Sequence, residues 1–242
     1  MQASSFAARW ALRLGSVALA LLAIGPLLNQ LGATAPMGGF TVFGLGLLLG
    51  VAALVLSLVG ILRTGASSGR SGRTQALAGL ACGIAVIAVL IFAGRGGEGA
   101  PPINDITTDP DDPPQFVAIL ELEQNRGRDM SYPGEEFAAQ QRAAYTDLAP
   151  LEIAKPPAQA LADVRAAARA LGWEIVAEDA ARGRLEATHT TAIFRFVDDV
   201  AVRVRADGRG SRIDVRSKSR DGRGDIGANA ARIHALRDEL LR

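Results

Sequence analysis

Three stretches without a single Asp, Glu, Lys or Arg, roughly residues 14–31, 40–62 and 76–93, constrain this chain more than any motif in it. A bilayer core of ~30 Å is spanned by ~20 apolar helical residues, and the second stretch meets that length with room to spare. The first and third sit near its lower limit. Aromatic residues make up only 5% of a chain that is 49% hydrophobic, so the apolar excess is Ala, Leu, Val, Ile and Gly, the palette of a membrane helix. Buried helices of a soluble protein are the competing interpretation, and three such runs with no acidic residue argue against it. Pro26 is expected to kink the first helix without abolishing it. Gly46 with Gly50, and Gly79 with Gly83, recur at the four-residue spacing that permits close helix contact in lipid.

The loops give an expected orientation. The leading tail carries Arg9 and Arg13, the first loop (NQLGATAPMGG) carries no charge, and the second (RTGASSGRSGR) carries Arg63, Arg70 and Arg73. Basic loops stay cytoplasmic, which places the N-terminus inside and everything after the third span outside, as in a multi-pass membrane protein. An alternative reads residues 1–35 as a cleaved signal peptide ending near Ala33-Thr34-Ala35, although the apolar run is long for such a segment. The third span exits outward in either case. Cys82, the single cysteine, excludes an internal disulfide and lies within that span as a structural thiol.

The chain divides into a transmembrane anchor (1–93), a Gly/Pro/Asp-rich tether (94–115) and an extracytoplasmic α+β domain (116–242). All 25 acidic residues lie at or after Glu98, whereas six of the 26 basic ones precede it. A protein built for nucleic acid would not be distributed this way. Residues 98–181 are acidic and 182–223 basic, so the tether is able to lie across the basic strands of its own domain. Its Asp109, Asp111 and Asp112 lack the Gly and Glu positions of a calcium loop.

Within the domain, helical spacing marks 134–145 and, after Pro156-Pro157, Leu161, Val164, Ala168 and Leu171, with Gly172 as a helix stop. Alternation marks WEIVAED, GRLEATHTT and the pair VAVRVRAD and SRIDVRS joined through Asp207-Gly208. A loop at 207–210 sets Val204 against Ile213 and Val202 against Val215, and on the other face Arg203 against Asp214 and Arg205 against Arg212. Asp225 reads as the N-cap of a last helix with Ile226, Ala230, Ile233, Leu236 and Leu240 on one side. The predicted fold is therefore a bundle of three transmembrane helices followed by an antiparallel sheet with helices on one face.

The stretch 188–233 (THTTAIFRFVDDVAVRVRADGRGSRIDVRSKSRDGRGDIGANAARI) resembles the signature of the family catalogued as domain of unknown function 1499. TDPDDPPQF, AYTDLAPLEI and GWEIVAED…GRLEAT are similar to it too, and the resemblance covers roughly 106–240. The AIFRF and SKSRDGRGD segments depart from the pattern. The resemblance implies a domain boundary and a membrane-anchored bacterial type. It implies no catalytic residue.

Arg203, Arg205, Arg212, Arg216 and Lys218 project from neighbouring strands, and their forked donors suit phosphate or carboxylate oxygens. Their solvated alternative is a wet sheet face neutralised by Asp214, Glu186 or the tether. Arg220 and Arg223 flank a Gly-rich turn that is not a phosphate-binding loop; Asn229 and Arg232 are candidates to brace it. Asp198 and Asp199 point to opposite faces of an extended chain, and His189, in phase with Leu185 and Ala187, meets the core. His234 and Asp238 form a local helix pair. Two histidines and a membrane thiol supply too few ligands for zinc, and no cofactor is implied. The expected function is a non-enzymatic binding or assembly module for an anionic lipid or glycan, or for an envelope protein. The alternatives are a membrane-tethered hydrolase using His189 and Asp198, or a structural domain that assembles homo-oligomers through the transmembrane helices.

Overall fold

The computed structural model describes residues 4–65, 68–94, 97 and 99–242, and separates into two compact units. In the first, α1 (Phe6–Gln30), α2 (Pro36–Arg63) and α3 (Arg73–Gly94) are each long and apolar enough to cross a membrane. At 1.5 Å per residue they measure about 38, 42 and 33 Å. All three exceed the uncharged runs. α1 starts eight residues before its apolar run because Ser5 caps it, accepting from the amide of Ala8, and Arg9 and Arg13 ride on its first turns. It continues through Pro26.

The paired glycines serve two neighbours each. A Cβ on Gly46 would meet the carbonyl of Ala18 in α1 at 2.9 Å, whereas one on Gly50 would strike Val86 in α3. Likewise Gly79 lies against the Ala11 backbone and Gly83 against Leu54. With lipid tails as apolar as the side chains, such backbone proximity is what dispersion has to work with. The unit also includes Ala192–Arg195, whose Phe194 ring lies edge-on to Phe40 and Phe43 at 5.2 and 5.3 Å and whose carbonyl accepts from Asn29.

The second unit is an α+β domain around one antiparallel sheet. Its elements are β1 (Asp105–Thr107), two 3-10 turns (Ala118–Glu121 and Glu123–Asn125), α4 (Glu135–Ala144), β2 (Leu151–Ile153), α5 (Pro157–Ala170), β3 (Glu174–Asp179), β4 (Arg184–Thr190), β5 (Val197–Asp207), β6 (Gly210–Ser219) and α6 (Ala228–Leu240). The strand order is β1-β6-β5-β4-β3, with β2 also on β6, so the two shortest strands share its outer edge. The β5–β6 register places Val204 on Ile213, Val202 on Val215, Arg203 on Asp214 and Arg205 on Arg212, as the alternation predicts. Gly208 supplies the positive φ (57°) that this two-residue loop requires.

One sheet face is apolar. Leu185, Ala187, Val200, Val202, Val204, Ile213 and Val215 pack with Leu161, Val164 and Ala168 of α5 and with Ala230, Ile233 and Leu236 of α6. The opposite face is covered as well, by the irregular strap 108–132, which rests Phe116, Ile119 and Met130 on Ala201. The free edge of β1 is closed by a side chain: the Gln141 amide accepts from the Thr107 N–H at 2.9 Å and donates to its carbonyl at 2.6 Å, taking the place of a strand.

One expectation fails at the last helix. α6 begins at Ala228 behind a left-handed Gly227, and Ile226 is outside it, with φ 53° and 59% exposure. Asp225 still caps, but from a turn further back, accepting from the amides of Gly227 and Asn229 at 2.9 and 2.8 Å. The helical spacing that placed Ile226 with Ile233 holds for the sequence and not for the chain path.

Gln141→Met preserves bulk but leaves a buried N–H and C=O on Thr107 without partners, at ~1–3 kcal/mol each. We expect a urea midpoint lowered accordingly, read from buried Trp173 in a Trp10→Phe background; an unchanged midpoint would mean that water replaces the amide.

Candidate functional site

The period of two along β5 and β6 sends Arg203, Arg205, Arg212, Arg216, Lys218 and Arg220 to the strap side of the sheet, together with Asp214 and Asp199. The strap meets them as three ionic clusters. In the first, fully buried Asp214 accepts from Arg203 at 3.0 and 3.1 Å, from Arg205 at 2.8 Å and from Arg212 at 2.7 Å. Strap residues Asp109 and Asp112 supply the remaining charge: Asp109 pairs with Arg212 at 2.5 Å, and Asp112 with Arg203 and Arg205 at 3.1 Å each. Hydrogen bonds from Arg203 hold the Asp112 carboxyl below its usual range, assisted by the charges of both arginines. Three guanidinium groups thus face three carboxylates, and Asp112, whose side chain is 61% exposed, is the outermost.

The second cluster is drier. Arg216 and Asp105 are both fully buried and joined through Nε at 2.9 Å and Nη2 at 2.8 Å, and Lys218 donates to the same carboxylate at 2.9 Å. The carbonyls of Pro114 and Met130 take further donors of Arg216, whose guanidinium lies 4.6 Å from the Phe116 ring centroid and 5.6 Å from that of Tyr132. Four of the five N–H donors of the buried cation are thus taken by oxygen and two aromatic rings lie near its guanidinium, the kind of pairing by which an ion pair survives desolvation. Burial, with the neighbouring Asp105 charge, pushes the Tyr132 phenol up to about 12.

In the third cluster Arg220 grips buried Asp199 at 2.9 and 2.6 Å, and Asn125 of the strap donates to it at 3.1 Å. Arg223 stands apart, exposed in the turn after β6 and without an ionic partner among the described residues. Among the described residues Glu186 pairs with no arginine. It accepts from the amides of Val117, Ala118 and Ile119 at 2.9–3.1 Å, capping the first 3-10 turn as an anion caps a helix. Beside it a groove of about 230 Å³ opens between Val117, Ala118 and the β3–β4 hairpin. The strap's Asp111 pairs outward with Arg142 at 2.6 Å.

Asp198 and Asp199 do face opposite ways. On the apolar side Asp198 lies across from His189, but its carboxylate is taken by Arg232. Arg232 also approaches Nδ1 of His189 at 3.2 Å; because arginine only donates, that nitrogen is the acceptor and Nε2 bears the proton. Burial first, then the Arg232 charge, lowers the His189 pKa, with Asp198 opposing. Asn229 ties this group to the turn, accepting from Ser217 and Arg232 and donating to Ser219 and to the carbonyl of Asn104. His234 pairs with Asp147 at 3.5 Å and not with Asp238, four residues along its own helix. Among the described residues no three His, Cys, Asp or Glu side chains converge for a metal.

Sequence reasoning missed Asp105, the hub of the second cluster, and the backbone-capping role of Glu186. Their signal was parity: Glu186 is flanked by core residues Leu185 and Ala187, so it must share the arginines' face.

Together, the apolar helices and the strap-covered sheet define a membrane-associated protein bearing an α+β domain with a closed charged face. Residues 105–240 match the family described as Protein of unknown function (DUF1499), and the chain belongs to that family. No curated protein matches it.

Asp105→Ala strands a buried guanidinium and should cost about 3–5 kcal/mol, whereas Arg216→Met, which removes the cation, should cost less; urea titration of both variants checks the order. For His189, the folded pKa lies below 6.5, so beneath pH 6.5 the unfolded chain binds a proton that the folded chain refuses. Stability present above pH 6.5 is then lost as pH falls through that window, and His189→Asn should flatten the loss in a thermal-melting series.

Proposed function

We propose that this is a multi-pass protein of the bacterial inner membrane, N-terminus inside, that presents its α+β domain on the periplasmic side as a non-enzymatic binding or assembly module for the cell envelope. The charge asymmetry of the loops supports the sidedness. The observation that carries the module reading is the strap face itself. Its cations are matched by carboxylates from the same chain, and only the Asp112 end is solvent-exposed. An anionic lipid, glycan or acidic partner segment binds by taking the place of the Asp112 carboxylate on Arg203 and Arg205, with Arg212 adjoining. Arg216, Lys218 and Arg220 hold the strap in place and set the geometry of that exposed end.

The hydrolase alternative is disfavoured by geometry. A histidine base needs an orienting carboxylate on the nitrogen it does not use, yet Asp198 is committed to Arg232, and that cation occupies Nδ1. A protein partner docking on the same face remains within this reading, because the exposed arginine–aspartate surface is polar, hydrogen-bonding and shape-defined.

Two measurements test it. A phosphatase reporter fused after Arg242 should be active, and a cytosolic reporter at that position should be silent; the reverse pattern removes the envelope role. Short-chain phosphatidylglycerol, titrated into the full chain in neutral detergent, should bind more tightly to Asp112→Asn than to the parent and be lost in Arg205→Glu. Identical affinities in all three would remove the anion reading of this face.

A further inference from the structure

The strap-side cations of β5 and β6 each have a carboxylate, whereas Arg184, one strand over on β4, has none. It is partly buried and has no hydrogen bond or ionic partner among the described residues. Its neighbours explain why. Across from it on one side is Arg203, a like charge, and such a pair costs stability when nothing anionic lies near. Across from it on the other side is Asp179, whose carboxylate is taken by the Arg182 side chain at 2.7 Å and the Arg182 amide at 3.0 Å. Glu186, two residues along β4 and on the same face, spends both its oxygens on backbone amides. The carboxylates that flank Arg184 are committed elsewhere, and one positive charge is left over.

That charge lines the groove of about 230 Å³ beside Glu186. Ala177, Glu178 and Asp179 line it too. Consecutive strand residues alternate sides, so a groove that touches all three runs along the edge of β3. β3 is the last strand of the sheet, with no strand beyond it to take its outer main-chain groups. Val117 and Ala118 form the facing wall, and Val117 is 50% exposed. An open strand edge, an apolar wall and a surplus guanidinium thus meet in one place.

The edge also selects its occupant. A β-bulge shifts the register between Ile175 and Ala177, which leaves a regular edge only at 177–179 and excludes a long added strand. A second copy pairing β3 with β3 crowds Glu174, Glu178 and Asp179 of both copies onto one short ribbon, where like charges repel. A dianion is opposed by the carboxylates of Glu178, Asp179 and Glu186 in the groove wall, the first already held by Arg165 at 3.2 Å. A short extended segment that ends in a single carboxylate meets all three conditions.

We propose that the groove takes the C-terminal end of an extended peptide. Its last residues continue the sheet along 177–179, its terminal carboxylate lies on the Arg184 fork, and a small apolar last side chain rests on Val117 and Ala118. Main-chain bonds of an added strand supply affinity, and capture of the end carboxylate sets the register. The site uses none of Arg203, Arg205 and Arg212, so it stands apart from the anion reading of the strap face.

The test titrates the full chain, in neutral detergent, into N-terminally fluorescein-labelled Gly-Ser-Gly-Ser-Ala-Val and reads fluorescence anisotropy. The free acid should bind about tenfold more tightly than the same peptide with a C-terminal amide, the difference that one charge-assisted contact makes. Arg184→Gln should erase that preference, and Arg184→Lys, which keeps the charge without the fork, should retain part of it. Arg184→Gln breaks no bond and relieves the Arg203 contact, so its urea midpoint should not fall. Short-chain phosphatidylglycerol, the probe of the strap face, should leave the bound peptide in place. Equal affinity for acid and amide overturns the proposal, as does an acid preference that survives in Arg184→Gln. A midpoint lowered in Arg184→Gln, or a peptide displaced by phosphatidylglycerol, overturns it too.

Discussion

The domain depends on the cost of burying charge. Strand alternation gives β5 and β6 one face of valine and isoleucine and another of arginine, lysine and aspartate, and both faces are covered. A buried guanidinium without a carboxylate is untenable, and so is the reverse. The strap therefore cannot be an incidental connection. It carries Asp109 and Asp112 and is preceded by Asp105, while Phe116, Ile119 and Met130 seal the clusters from water. The polar side of the sheet becomes a second core, held by directional bonds where the first is held by apolar contact.

That arrangement explains why the sheet closes its edge as it does. β1 must stay on β6 for Asp105 to reach Arg216 and Lys218, yet three residues make a weak strand. Gln141 compensates by hydrogen-bonding Thr107 on its open side, and α4 is thereby tied to the ion cluster it never touches. Glu186 does the equivalent work at the strap's other end. A carboxylate spent on backbone amides, with no ionic partner among the described residues, fixes where the 3-10 turn begins and hence where Phe116 lands over Arg216.

Much of this was legible beforehand wherever a short-range rule governs. The Val–Arg alternation and Asp207-Gly208 determined the β5–β6 register residue by residue, and the acidic tether against basic strands announced their pairing. The positions that escaped are those set by long-range partners. Asp105 looks like any aspartate in an extended segment until Arg216, over a hundred residues on, is folded against it. His234 reads as a helix pair until Asp147 arrives from another loop. Ile226 follows helical spacing faithfully, and only the Asp225 bonds, which start the helix two residues later, move it outside.

The displacement of Ile226 has a physical cost. A core residue misread from sequence costs nothing if the chain simply buries it elsewhere, but Ile226 is held outward against both its backbone preference and its apolar character. The Asp225 hydrogen bonds to the Gly227 and Asn229 amides hold it there, and Gly97 of the tether lies against its side chain. The strap side shows the same logic with the sign reversed: there, charged groups that favour water are held away from it, and buried Asp105, Asp199, Asp214 and Arg216 each have a counter-charge.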